Sequence, residues 1–134
     1  MKKIEVVAAI MLNEEKILCV QRDKGKFDYI NFKWEFPGGK VEKDETLENA
    51  IKREIKEELM ANIVECEHFM TVEHQYPDFF LVMHSFLCHM PTKDISLTEH
   101  IASQWLSPES LDSLDWAAAD IPIADKLREH FCDI

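Results

Sequence analysis

No stretch of this sequence approaches the roughly 20 apolar residues that a helix needs to cross a bilayer, so none of these residues is expected to span one as a helix. Internal repeats, low-complexity tracts and linkers are also missing. The 134 residues are therefore read as one domain, 1–134, long enough to bury a real core. Basic residues are scarce, 15 Lys and Arg against 26 Asp and Glu, for a formal charge of −11. Such a surface repels nucleic-acid polymers and anionic membranes. A small phosphate-bearing substrate stays open if metal ions neutralise it locally. The four cysteines (Cys19, Cys66, Cys88, Cys132) form no C-x-x-C pair, so reduced thiols and a cytoplasmic location are expected. Six histidines show no zinc spacing, and no local motif suggests a Ser/His/Asp arrangement. Lys2-Lys3 opens an apolar run, but Glu5 interrupts it and no small-residue cleavage site follows, which favours a first strand over a signal peptide.

Glycine is nearly absent too, yet two of the three adjoin at Gly38-Gly39. They open the stretch GGKVEKDETLENAIKREIKEELMA, residues 38–61, which is the most informative part of the chain. Each residue of an α-helix turns about 100°. Leu47, Ala50, Ile51, Ile55 and Leu59 then share an apolar stripe, while Glu54, Glu57 and Glu58 fall within an arc of about 100°. Most charge runs are solvated helix faces. Here Glu54 and Glu58 overlap the edge of the stripe, where an unpaired carboxylate is costly and its neighbours repel it. A hard divalent cation, Mg²⁺ or Mn²⁺, held by oxygen ligands removes both costs. Thr46 is placed to cap this helix, with Asn49 an imperfect capping-box partner, and Glu48 and Lys52 form an outward i,i+4 pair.

Around the helix, Glu5–Leu12 and Ile17–Gln21 read as strands joined by the polar turn at Asn13–Lys16. Arg22–Lys33 is a loop whose aromatics (Phe27, Tyr29, Phe32) suit either a flap over a site or packing onto the fold. Trp34–Phe36, Ile63–His74, Phe79–Cys88 and Ile101–Leu106 are further strands, the last carrying Trp105 toward the core. Pro108–Leu114 suits a short helical turn. Pro122 opens a terminal helix with Ile123, Leu127 and Phe131 as its buried stripe. The order of elements predicts an α+β sheet flanked by helices.

The 38–61 stretch resembles the Nudix box, G-x5-E-x7-R-E-U-x-E-E-x-G-U with U aliphatic. Gly39, Glu45, Arg53, Glu54, Ile55, Glu57 and Glu58 fill it in register, and Met60 stands at its last glycine position, with Asn62 expected to supply the left-handed turn instead. The resemblance implies an α/β/α sandwich around a mixed sheet. It also implies a Mg²⁺-dependent hydrolase in which Glu54, Glu57, Glu58 and the Gly38 carbonyl hold the metal and Arg53 pairs with Glu45. Glu54 is the first choice of general base and Glu99 the second.

Beyond the box, Trp34–Lys40 resembles both the MutT branch and the CTP pyrophosphohydrolases. Glu99, six residues before Trp105, is similar to an additional metal-site glutamate of MutT, and Ala119–Pro122 resembles the cytidine-nucleotide enzymes. By position Arg22, Phe36, Tyr76 and Phe79 are expected to line a nucleoside pocket, with Gly39 and Lys40 as further substrate contacts. Asp125 falls where MutT reads a purine with asparagine. A carboxylate there accepts from the amino group of cytosine, or, if protonated, pairs with an oxidised purine. The expected reaction is hydrolysis of a nucleoside triphosphate to monophosphate and pyrophosphate. Hydrolysis of a compound such as ADP-ribose and a non-catalytic nucleotide-binding module are the alternatives.

Overall fold

The computed structural model describes residues 2–132, apart from the side chain of Cys132. Its frame is a mixed sheet. Strand β1 (Lys3–Asn13) turns back into β2 (Lys16–Gln21), and β3 (Trp34–Glu35) and β4 (Gly38–Lys40) lead into helix α1 (Leu47–Leu59). Strands β5 (Cys66–Gln75), β6 (Phe80–His89) and β7 (Ala102–Leu106) follow, and helix α2 (Ile121–Cys132) ends the fold. The main path runs β3-β2-β1-β6-β5, with β4 paired to β1 and β7 to β2. Among the described strand pairs only β1–β6 is parallel, and an isolated parallel bridge joins Trp34 to Trp116.

The unbroken apolar run of β1 has a physical reason. Side chains alternate across a strand, and both faces of this one are covered. Val7, Ala9 and Met11 face a cluster with Ile51, Ile55 and Leu59 of α1. Ala8, Ile10 and Leu12 face a second cluster with Leu111 and with Ile123 and Leu127 of α2. One helix on each face gives the expected α/β/α sandwich. Within α1, Ala50, Ile51, Ile55 and Leu59 are buried as their spacing predicts, each large aliphatic worth about 1.5–3 kcal/mol. The amide of Asn49 donates to the Thr46 hydroxyl at 3.1 Å, and Lys52 reaches Glu48 at 3.2 Å.

Several expectations need correcting. The left-handed residue after α1 is Met60 itself (φ 55°, ψ 34°), not Asn62, and its N–H closes on Lys56 O at 3.0 Å. The helix ends where the box glycine would end it, at the cost of a non-glycine in that region. Because the Met60 side chain is 70% exposed, Met60→Gly is expected to raise stability by about 1 kcal/mol, read as a higher melting temperature. Phe131 does not join the α2 stripe but stands exposed, and Ala124 fills the face with Ile123 and Leu127. β5 starts at Cys66 rather than Ile63, although Ile63 is buried against the α1 side. Trp105 is half-buried there. Cys19, Cys66 and Cys88 are free thiols, and burial pushes Cys19 and Cys88 up to about 12.

The Arg22–Lys33 loop packs down. Phe27 lies 5.5 Å from Phe79 and Tyr29 5.4 Å from Tyr76 between ring centres, and Tyr29 O–H donates to Asp78 at 3.0 Å. Phe32 alone of its aromatics stands out into solvent. No helix among the described residues is long and apolar enough to cross a membrane.

Candidate active site

Two glycines let β4 thread between β1 and α1. A Cβ on Gly38 would run into the Val7 carbonyl, and one on Gly39 into the Glu54 carboxylate. The backbone at Gly38-Gly39 therefore lies directly beside the acidic face of the helix, an approach that only a residue without a side chain permits.

On that face Arg53 is the organiser. Its Nε donates to Glu45 Oε2 at 2.8 Å and its Nη2 to Glu45 Oε1 at 2.9 Å, a two-pronged pairing. Nη2 also donates to Lys40 O at 3.0 Å, and Nη1 to Glu54 at 2.7 Å and Glu57 at 3.4 Å. The hydrogen bonds from Arg53 hold the Glu45 carboxyl down at about 2. One guanidinium thus ties the turn after β4 to the helix.

The three glutamates differ in setting. Glu57 is exposed, Glu54 is mostly covered, and Glu58 is 3% exposed. Burial pushes Glu58 up to about 9, and a hydrogen bond with Glu54 and the charges of Glu35, Glu54 and Glu99 push the same way. The segment before β7 brings Glu99 there by clasping the last carbonyls of α1. Thr98 Oγ1 donates to Glu57 O at 2.8 Å, Thr98 N to Glu58 O at 3.0 Å, and Ser96 N to Leu59 O at 2.8 Å. Those carbonyls have no partner within the helix.

Among the described residues no group of three His, Cys, Asp or Glu side chains is already gathered as a metal cluster. Glu54 and Glu57 lean on Arg53 instead. The chemistry still fits a hard cation. The donors are oxygens only, and a buried carboxylate crowded by three others is relieved by positive charge or by a proton.

Beside this face opens a cavity of ≈ 360 Å³, within the usual range for small-molecule sites. It brings together the expected Arg22, Phe36, Gly38, Gly39, Lys40, Tyr76 and Phe79. Phe36 stacks on Trp116 at 4.6 Å, and the Tyr76 hydroxyl accepts from Ala119 N–H at 3.0 Å. Asp125, expected here as the base reader, is instead exposed on α2 and is not among the residues lining the cavity. The helix begins at Ile121, so Asp125 lies one turn along and on the outer side.

The acid that lines the cavity is Asp120, 5% exposed, its Oδ1 accepting from Phe36 N–H at 3.1 Å. Burial first, and then the charge of Glu35, raise its pKa well above the carboxylate range. Glu35, also on the cavity wall and within the Trp34–Lys40 resemblance, and His100, whose side chain is 5% exposed and which no local motif marks, are further residues of the site. For Asp120 the signal was the Ala119–Pro122 segment itself, which carries the resemblance to cytidine-nucleotide enzymes.

Residues 2–127 match the family model described as NUDIX domain. Over 127 residues the chain is 39% identical to the CTP pyrophosphohydrolase of Escherichia coli (strain K12), covering 93% of this chain and 91% of that protein. It is 30% identical over 128 residues to the 8-oxo-dGTP diphosphatase of the same organism, covering 96% and 98%. Among solved structures, a MutT protein from Methanosarcina mazei Go1 superposes with a TM-score of 0.85 at 25% identity, over 96% of this chain and 95% of that one.

Proposed function

Since this chain belongs to the NUDIX domain family, we propose that it is a Mg²⁺-dependent nucleoside triphosphate pyrophosphohydrolase directed at cytidine nucleotides. The observation that carries this is a single junction. The Glu54–Glu58 face and the Gly38-Gly39 backbone border a nucleoside-sized cavity with a buried carboxyl, Asp120, in its wall.

The residues divide the work by position. Phe36, Tyr76 and Phe79 supply apolar walls for a base, and Phe27 covers them from the loop. Burial favours the neutral form of Asp120, and its Oδ1 already accepts from Phe36 N–H, so a proton on this carboxyl would sit on Oδ2. Such a carboxyl offers one acceptor beside one donor, which matches the amino group and ring nitrogen of cytosine. Glu54, Glu57, Glu58 and the Gly38 carbonyl would hold Mg²⁺, with Glu99 at the rim. When bound, the ion polarises phosphoryl oxygens and offsets polyphosphate charge. Arg53 keeps Glu54 and the 38–46 turn in place. Water attacks phosphorus, its proton passes to Glu54 (or to Glu99), and the anhydride bond breaks to release nucleoside monophosphate and pyrophosphate.

A pyrophosphate-release screen with Mg²⁺ across CTP, dCTP, the other nucleoside triphosphates and 8-oxo-dGTP tests this. The expected preference is for CTP or dCTP by tenfold or more, of the order that one buried polar contact provides. Asp120→Leu is expected to flatten that preference. An oxidised purine offers a similar donor–acceptor edge, so a clear lead for 8-oxo-dGTP would reassign the base while leaving the reaction in place. Turnover of ADP-ribose to two monophosphates, without pyrophosphate release from any triphosphate, would overturn the reading.

A further inference from the structure

Both oxygens of Glu35 are held. Arg22 Nη1 donates to Oε1 at 3.1 Å, and His100 Nε2 donates to Oε2 at 2.9 Å. That same nitrogen lies 3.7 Å from Glu58 Oε1. The His100 side chain is only 5% exposed. Its other nitrogen, Nδ1, is buried and has no partner among the described residues. A ring kept there for packing alone would leave a polar atom unsatisfied for no gain, since an apolar side chain of like size avoids that penalty. The polar contacts of His100 all run through Nε2, and they point at two acids with different duties. Glu35 belongs to the cavity wall, and Glu58 to the carboxylate face of α1.

We propose that His100 is a positioning residue that fixes both acids at once, aiming Glu35 into the nucleoside cavity and Glu58 at the cation site. The assignment rests on the pyrophosphohydrolase reading above, but it concerns a residue with no place in the Nudix box. His100 touches neither base nor phosphate in this scheme. It acts through the carboxylates it orients, and it makes the nucleoside pocket and the cation site depend on one side chain.

The test uses two binding constants and no turnover. One is the dissociation constant of dCMP without metal, by calorimetry, and the other is that of Mn²⁺ without nucleotide, by electron paramagnetic resonance. His100→Leu is expected to weaken dCMP binding by about tenfold, as loss of a hydrogen bond to a charged group does, and to weaken Mn²⁺ binding by a smaller factor, because Nε2 lies 3.7 Å from Glu58 Oε1 and acts there through charge and contact alone. His100→Gln, whose amide N–H reaches toward the same acceptor, should recover most of the loss. In a Glu35→Ala background, His100→Leu should leave the dCMP constant unchanged, because the residue it acts through is gone. Wild-type constants in His100→Leu would overturn the assignment, as would a His100→Gln no better than His100→Leu, or an undiminished dCMP effect without Glu35. If His100→Leu does not fold, His100→Gln against His100→Asn, whose amide falls one carbon short, carries the same comparison. Wild-type protein that binds neither dCMP nor Mn²⁺ would sink the functional reading itself; wild-type binding with insensitive variants would sink only the role of His100.

Discussion

Replacing Glu58 by glutamine is expected to make the metal-free protein more stable and nearly inactive. The two effects have one cause. Burial and neighbouring acids raise the Glu58 carboxyl from its ordinary value of 4.5 to about 9. The folded state therefore binds a proton that the unfolded chain releases above about 4.5. Stability falls with rising pH wherever the folded state binds more protons. The contribution of Glu58 is neutral below about 4.5, grows more unfavourable as pH climbs, and levels off above about 9. At pH 7 the gap amounts to about 3 kcal/mol. A glutamine amide, which never ionises, removes that penalty but must itself be buried with incomplete hydrogen bonding. A net gain of about 1–2 kcal/mol remains, or several degrees in melting temperature. Thermal unfolding between pH 5 and 9 without divalent ions should show the wild-type midpoint sloping down and the Glu58→Gln midpoint sloping less.

Activity should move the other way. A neutral amide cannot neutralise a cation, and loss of one group that stabilises transition-state charge lowers rates by about 10²–10³-fold. kcat/KM for triphosphate hydrolysis in Mg²⁺ is the measurement. A Glu58→Gln enzyme with wild-type turnover would remove Glu58 from the cation site. A variant less stable than wild type at pH 8 would show that the buried carboxylate is not under strain. Each readout speaks to a separate link, one to chemistry and one to folding.

How far the sequence reaches depends on whether a feature is local. The α1 register, its Thr46 cap and the placement of Glu54 and Glu58 nearest the core follow from 3.6-residue periodicity, and the structure agrees residue by residue. The buried β1 is legible for the same reason, since a strand covered on both faces has no polar alternation. Met60 shows the limit of local rules. A missing glycine suggests that the turn has moved, but packing of α1 and the clasp from Ser96 and Thr98 fix the helix end where it is. Asp125 marks another limit: the start of α2 turns Asp120 inward and Asp125 outward, an orientation that chain position alone does not carry. Glu35 and His100 meet across 65 positions of sequence. No window of residues contains that contact; only the pairing of β7 with β2, and of β2 with β3, draws the two together.

Arg53→Lys should do the second-largest damage, because charge is kept and geometry lost. A guanidinium reaches Glu45 with two prongs, the Lys40 carbonyl with a third hydrogen bond and Glu54 with a fourth. An ammonium on a flexible stem has three donors and no fixed fork. The 38–46 turn then loses its tie to α1, and Glu54 loses the group that orients it. Lysine keeps the charge but not the fork, so a lower melting temperature is expected, together with a fall in kcat of about 10²-fold from a misplaced Glu54. The acid side of the stability profile supplies an independent check. Glu45 is held at about 2 chiefly by Arg53, so its stabilising share is complete above its unfolded value near 4.5 and disappears as pH drops through about 2. Without the fork, the Glu45 carboxyl returns toward its ordinary range, and the variant should lose less stability than wild type over that same interval. Equal acid slopes in the two proteins would mean that Glu45 owes its low pKa to something other than Arg53, and the turn would need another anchor.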